Sequence, residues 1–342
     1  MREEPPHSRD AHDQPRHDAQ QRGVERNVPV PSPTLTFGMP VYNEERWLGE
    51  AIESLLAQTR GDWVLHISDN ASTDGTEDIC REAARRDTRI RYERHEQNQG
   101  SGFNWTHVLN EATTPFFAWT GGHDRWAPTF VEALLPMLED PEVITAYPRS
   151  QAMDLDGTLG AVYVDDHSNT HIKDPAARFL RIVTELGICN LLYGIWRTDV
   201  LRRGEVRPSY GPDTLLITEL SFLGHYVQHP DVLFLRRSLR TGETSSQRIA
   251  RAWSDVTGQE REGMPGLLHA VNAFIRDHID IVYSAPVELS ASRRLWLASR
   301  AATTVARRQV VTPTLHETIL PALPSFVTSP LRAMWRRRPG SR

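Results

Sequence analysis

The chain has 342 residues, 39% of them hydrophobic and 24% charged, with a formal net charge of −5. That is the composition of a soluble globular protein with one large core or two modest ones, and it argues against a nucleic-acid surface, which would carry a basic stripe through the folded part. Two cysteines, Cys80 and Cys189, are too few for a disulfide framework and have no CxxC spacing, so a reducing cytoplasm is the expected compartment.

No apolar run reaches the length that spans a bilayer, and no short apolar core of a secretory signal stands near the N-terminus, so the protein is expected to stay inside the cell. Residues 1–33 are rich in Arg, Asp, His, Gln and Pro, a composition that cannot offset its own ordering entropy, and they are predicted to be disordered. His7, His12 and His17 recur at a regular interval there, but in a solvated tail they receive no ligand role.

From Thr34 the pattern changes. Residues 35–39 read as a strand ended by Pro40, and Tyr42, Asn43 and Glu44 form a polar loop. A helix follows with Leu48, Ile52, Leu55 and Leu56 on one face, and Glu44 and Glu45 stand where a helix N-terminus favours negative charge. Residues 63–67 are a second strand running into Ser68, Asp69 and Asn70. The next helix is entered at 72–74 and continues through Ile79, Ala83 and Ala84. A short strand at 90–92, a loop at 98–102 and a helix with Trp105, Val108, Leu109 and Ala112 on its apolar face complete the third repeat.

Residues 116–119, Phe-Phe-Ala-Trp, suit a strand covered on both faces. It breaks at Gly121-Gly122, where the backbone can turn sharply and approach a ligand, and His123 and Asp124 are thereby delivered to the carboxyl edge of the sheet. Pro128 suits the first turn of a helix through Val131, Leu134, Leu135 and Leu138. Strands alternating with helices predict an α/β fold with a mostly parallel sheet flanked by helices. Its loops gather on one rim that holds Tyr42, Glu44, Asp69, Asn98, His123 and Asp124.

The second half is less regular. It reads as a turn at 154–157, a strand at 159–164 leading to Asp165, Asp166 and His167, a helix at 176–186, a strand at 191–196 and a short helix at 199–203. Gly211-Pro212-Asp213 opens a helix over 214–224, before a strand at 232–235. Asp213 is either an N-cap alone or a cap whose carboxylate also serves catalysis on the rim. Residues 241–246 read as a mobile lid or as an inert surface loop. Helices at 267–282 and 290–307 form a helical C-terminal extension. Beyond them, the run 331–338 mixes Trp335 with arginines, which suits a solvated end or a peripheral contact with an anionic membrane. Gly100-Ser101-Gly102 is not a dinucleotide fingerprint, because the sixth place is Trp105, and no P-loop string occurs.

Four stretches together resemble the family 2 glycosyltransferases of GT-A fold. They are Gly38-Met39-Pro40-Val41-Tyr42-Asn43-Glu44, then Ser68-Asp69-Asn70-Ala71-Ser72-Thr73-Asp74-Gly75-Thr76, then Asn98-Gln99-Gly100, and Gly122-His123-Asp124 with Pro128 behind. The resemblance covers about residues 35–156 well and reaches 248 weakly. It implies a Rossmann-like GT-A domain with its nucleotide-sugar-binding half at 34–156 and its acceptor-binding half at 157–248, followed by the extension and basic tail at 249–342.

The resemblance further implies an inverting sugar transfer from a nucleotide-diphospho-sugar, most simply UDP-linked, to a hydroxyl of a glycan, a lipid-linked sugar or a small molecule. Pro40, Tyr42, Glu44 and Asp69 would hold the base and ribose, Asp69 as an acceptor of a base N–H, with Asn98 and Gly122 beside the donor. His123 and Asp124 occupy the place of the family's acidic metal pair and would hold Mn2+ or Mg2+; the histidine suits Mn2+ better. Asp213 would be the general base, with Pro212 where the family has a glutamate and Glu219 as a structural carboxylate further along the helix. Two rivals are a degenerate member that binds sugar nucleotides without turnover and a nucleotidyltransferase, which would need a glycine-rich basic phosphate loop that the sequence lacks.

Overall fold

The computed structural model describes residues 33–209, 211–238, 247 and 263–311. The N-terminal tail, the 241–246 segment and the basic run at 331–338 lie outside the described residues.

Strands β1 (Leu35–Val41), β2 (Trp63–Asp69), β3 (Ile90–Arg94) and β4 (Phe116–Trp119) are joined by helices α1 (Leu48–Leu56), α2 (Thr76–Arg86) and α3 (Ser101–Asn110). All three pairings among these strands are parallel, in the order β3-β2-β1-β4. The sheet is covered on both faces, which is why its strands are apolar runs rather than alternating ones. One core cluster joins Phe37, Trp63 and Leu65 to Leu48, Ile52 and Leu55 of α1, and a second joins Phe117 and Trp119 to Val108 and Leu109 of α3.

After β4 the topology changes. A two-residue strand β5 (Arg125–Trp126) and a short helix α4 (Phe130–Leu134) lead through the 3-10 turn Leu135–Leu138 to β6 (Val143–Met153) and β7 (Leu159–Val162). Then come α5 (Pro175–Glu185), the 3-10 turn Asn190–Tyr193, β8 (Ile195–Arg197), α6 (Thr198–Leu201), α7 (Pro212–Leu220) and β9 (His225–Arg237). The nine-stranded sheet runs β3-β2-β1-β4-β8-β6-β9-β5, with β7 on β6. Here β8 is antiparallel to both β4 and β6, while β9 runs parallel to β6 and carries β5 antiparallel at the edge. Helices α8 (Gly263–Ser284) and α9 (Ala291–Ala306) join Phe274, Ile281 and Leu297 to Phe179 of α5 and Leu215 of α7 in a third cluster.

The expected α/β fold with its helical extension is borne out, and three local expectations are corrected. Pro40 does not end β1, which pairs with β2 through Val41↔Asp69. Gly38 O faces β4, where it accepts from Thr120 N, so the proline nitrogen two residues on faces the same side, past the last paired residue of β4, where no N–H is required. The predicted strand at 191–196 is a 3-10 turn followed by a three-residue strand. Leu191 and Leu192 are consecutive and both buried, and a short apolar run of that kind does not distinguish strand from helix. The helix after Pro128 tightens to 3-10 at Leu135, because Pro136 has no N–H to continue the α ladder.

Candidate functional site

Because Val41 and Asp69 are register partners, the loops after β1 and β2 leave the sheet side by side. They are then zipped together. Ser72 Oγ accepts from Asn43 N at 3.0 Å, Thr76 Oγ1 from Glu44 N at 2.8 Å, Asn43 Oδ1 from Thr73 N at 2.8 Å and Glu45 Oε2 from Gly75 N at 2.7 Å. Two non-glycine residues of this pair of loops, Asn43 (φ 55°) and Ala71 (φ 62°), hold left-handed backbone. Such strain persists only where the surroundings over-determine it, and it concentrates at binding sites.

Asp69 is on the rim, as expected, but does not face solvent. Its side chain is fully buried, and Oδ1 accepts from Ser72 N at 2.9 Å and Ser72 Oγ at 2.5 Å, while Oδ2 accepts from Tyr92 Oη at 2.9 Å. Arg94 Nε stands 3.5 Å from Oδ2, too far for a strong bond, so one lone pair of that oxygen keeps capacity for another donor. Asn98 is exposed and closes the third loop: its Oδ1 accepts from Asn70 Nδ2 and from Gly100 N, both at 2.8 Å. Tyr42 is 46% exposed beside these loops.

The turn after β4 meets the same place from the other side. A Cβ on Gly122 would stand 3.1 Å from Val41 and 3.2 Å from Glu44, so the glycine allows this turn to lie against the β1 loop. His123 Nδ1 is 2.9 Å from Glu44 Oε1. Burial disfavours the His123 imidazolium, but the bond to Glu44 and the adjacent Asp124 carboxylate outweigh it and raise its pKa. With the proton on Nδ1 shared with Glu44, the Nε2 lone pair points elsewhere, the arrangement found around metal-ligating histidines. Asp124 is buried, which raises its pKa, and its Oδ1 accepts from Arg237 N at 2.8 Å. Its Oδ2 lies against Gly121, where a Cβ would be only 2.8 Å away.

Two arginines at the end of β9 complete this corner, and the sequence reading did not find them. Arg237 holds the turn: Nε donates to His123 O at 2.9 Å, Nη1 to Asp154 O at 3.0 Å and Leu155 O at 3.1 Å, and Nη2 to Glu50 Oε2 at 2.6 Å. Arg236 donates to Asn190 Oδ1 at 2.7 Å. Burial opposes its charge, and the surrounding acidic groups, Tyr193 and Asp124 among them, outweigh that and raise its pKa. The available signal was an arginine pair ending an apolar strand, at the carboxyl edge where ligands settle.

Asp213 lies in the first turn of α7, with Gly211 as the cap residue, so it is not the N-cap; its Oδ1 accepts from Thr214 N at 2.8 Å. The buried Tyr193 phenol, raised by burial, feels the carboxylates of both Asp124 and Asp213, and the buried Cys189 thiol has Asp213 beside it. Cys189 belongs to the core. Glu219 pairs with Arg207 at 2.7 Å, the structural role expected. Asp165 is the less expected neighbour. Burial pushes its carboxyl up to about 6, neither oxygen has a hydrogen-bond partner among the described residues, and Arg236 acts on it as well. The amide of the nearby Asn190 donates to Ser150 Oγ instead.

Among known proteins, the Glycosyl transferase family 2 pattern matches residues 36–175. EpsE of Bacillus subtilis, provisionally named a glycosyltransferase, is 36% identical over 108 residues, covering 31% of this chain and 39% of EpsE. TuaG of the same organism, provisionally named a teichuronic acid biosynthesis glycosyltransferase, is 27% identical over 126 residues, covering 37% of this chain and 50% of TuaG. The chain thus spans half or less of the length of these curated relatives. In three dimensions it is similar to S. aureus TarS residues 1–349, with a TM-score of 0.56 and 14% identity over 83% of this chain and 75% of that one. The same TarS segment in complex with UDP-GlcNAc matches with a TM-score of 0.50 and 15% identity, over 83% of this chain and 92% of that one.

Proposed function

We propose that this chain, whose residues 36–175 match the Glycosyl transferase family 2 pattern, moves a sugar from a nucleotide-diphospho-sugar to an acceptor hydroxyl with inversion at the anomeric carbon. The observation that carries the reading is the convergence of three zipped loops and the His123-Asp124 turn on one edge of the sheet. The donor is read as UDP-linked, in keeping with the UDP-GlcNAc held by TarS.

Pro40, Tyr42 and Glu44 line the base and ribose, and the spare lone pair on Asp69 Oδ2 accepts a base N–H. Asn98 and the backbone at Gly122 flank the donor. His123 Nε2 and Asp124 Oδ2 would hold a divalent cation, Mn2+ more readily than Mg2+, and such an ion supplies Lewis-acid stabilisation of the leaving diphosphate. Arg236 adds fixed positive charge on the same side. Asp213 takes the proton of the acceptor hydroxyl as its oxygen bonds to the anomeric carbon; the bond to the diphosphate oxygen breaks on the opposite face, and the nucleoside diphosphate departs with the electron pair. The acceptor is a glycan, lipid-linked sugar or small molecule met in the cytoplasm. Among the described residues no helix is long and apolar enough to cross a membrane.

A second reading exchanges the base. A carboxyl pushed up to about 6 by burial, with neither oxygen well hydrogen-bonded among the described residues, is a general-base candidate in its own right, and Asp165 has both properties. The deciding experiment is a panel of nucleotide-sugars titrated with and without Mn2+, followed by detection of transferred sugar with the best donor. Binding without transfer or donor hydrolysis would favour the degenerate binder, and no binding of any nucleotide-sugar would overturn both.

A further inference from the structure

On β2, two residues before Ser68 and therefore on the same face, His66 lies beneath α3, where two other side chains converge on it. His66 Nε2 is 3.3 Å from Glu93 Oε2, and His107 Nε2 is 3.2 Å from that same oxygen. The ligand atoms of the three residues all lie within 4.8 Å of one another. A tetrahedral ion with bonds of about 2.0–2.1 Å spaces its ligands about 3.3 Å apart, the spacing of both contacts to Glu93.

His66 is also an orphan. It is 4% exposed, and neither ring nitrogen has a hydrogen-bond partner among the described residues. Glu93 Oε2 is within reach of Nε2 at 3.3 Å but poorly aligned for a hydrogen bond, so the contact satisfies the buried ring at best weakly. A buried polar group in that state calls for a missing partner, and an ion between the three ligand atoms would be one.

We propose that His66, Glu93 and His107 form a binding site for a divalent transition-metal ion of the Zn2+ class, separate from the cation of the transfer reaction. Two nitrogens and one carboxylate suit Zn2+ better than Mg2+. The Glu93 and His107 side chains are 35% and 19% exposed, which gives an ion access and a water the fourth position. Arg91, 3.8 Å from Glu93 Oε2, is nearer to Glu111 at 3.3 Å and keeps that partner when an ion is present.

The ion would tie β2, β3 and α3 together directly below Asn104, which bonds Ser68 Oγ at 2.6 Å and steadies the start of α3 behind the Asn98 loop. The test uses the full chain, freed of metal by chelator and titrated with Co2+ and Zn2+ without nucleotide. The expected result is the visible spectrum of tetrahedral Co2+ at one equivalent, displaced by Zn2+, and a Zn2+-dependent rise in Tm. His107→Ala and Glu93→Gln, both at partly exposed positions, should each weaken binding at least about tenfold and abolish the Tm response. Asp124→Asn, and a variant with His7, His12 and His17 replaced by alanine, should keep both signals. No tetrahedral spectrum in the parent, its persistence in His107→Ala, or its loss in either of the last two variants would overturn the site.

Discussion

The charge of Asp213 acts on Tyr193 and that of Arg236 on Asp165, and one substitution in each aspartate separates their roles. Asp213→Asn keeps the size of the side chain and its bond from Thr214 N but cannot take a proton. If Asp213 is the base, turnover should fall by about two to four orders of magnitude while donor affinity stays near that of the parent. Asp165→Asn should then change turnover far less. Rate and donor binding measured on the same preparation decide, and near-normal transfer by Asp213→Asn with collapse in Asp165→Asn would move the role. At Asp69 the burial sets the expected outcome. Asp69→Ala strips acceptors from Ser72 and Tyr92 in a dry environment, so it should cost about 2 kcal/mol or more of stability as well as nucleotide affinity. Urea denaturation with an unchanged midpoint would show that the loop tolerates the loss.

At the scale of elements, β9 does more than complete the sheet. Its last residue, Arg237, spends its side-chain donors on His123 O, Asp154 O, Leu155 O and Glu50, from a side chain 1% exposed. Arg237→Ala is expected to destabilise the protein by about 3 kcal/mol and to lower donor affinity by loosening the His123-Asp124 turn. Arg237→Lys should rescue little, since one ammonium cannot reproduce a planar fork reaching three chain segments. Equal stability of parent and Arg237→Ala in urea would refute the clamp. This contact was not legible in sequence, because β9 and the β4 turn are more than a hundred residues apart and β5, which brings them together at Arg125↔Leu235, is only two residues long. What was legible was local: the periodicity of α1 to α3, the strand-glycine-acid order at Gly121 to Asp124, and the helix opened by Pro212. The burial of Asp69 was hidden for the same reason as Arg237, since its partner Tyr92 comes from another strand.

Across the whole molecule, the pH dependence of stability should be set by histidines buried in neutral form in the second half of the fold. Burial pushes His167 and His278 down to about 4 each, and they are 3% and 1% exposed. Asp166, Glu185, Arg181 and Arg308 act on His167; Arg207 and Arg308 act on His278, whose Nδ1 lies 2.7 Å from Phe274 O. A histidine with a folded pKa below its unfolded value takes up its proton first in the unfolded chain, so its contribution is complete above about 6.5 and is lost as pH falls toward 4. At pH 5.5 each should have lost about 1.4 kcal/mol, about 3 kcal/mol for the pair. Asp165 runs the other way: with a folded pKa raised to about 6, it favours the folded state as pH falls and returns about 1 kcal/mol at the same pH. His123, raised in the fold, also opposes the loss. The net expectation is a fall of about 1–2 kcal/mol between pH 7.5 and 5.5, read from urea denaturation midpoints at constant ionic strength. His278→Leu should remove about 1.4 kcal/mol of that fall, most of the net slope, whatever it does to stability at pH 7.5. A slope unchanged in His278→Leu would mean that the buried imidazole takes up its proton without opening the helical layer formed by α5, α7, α8 and α9.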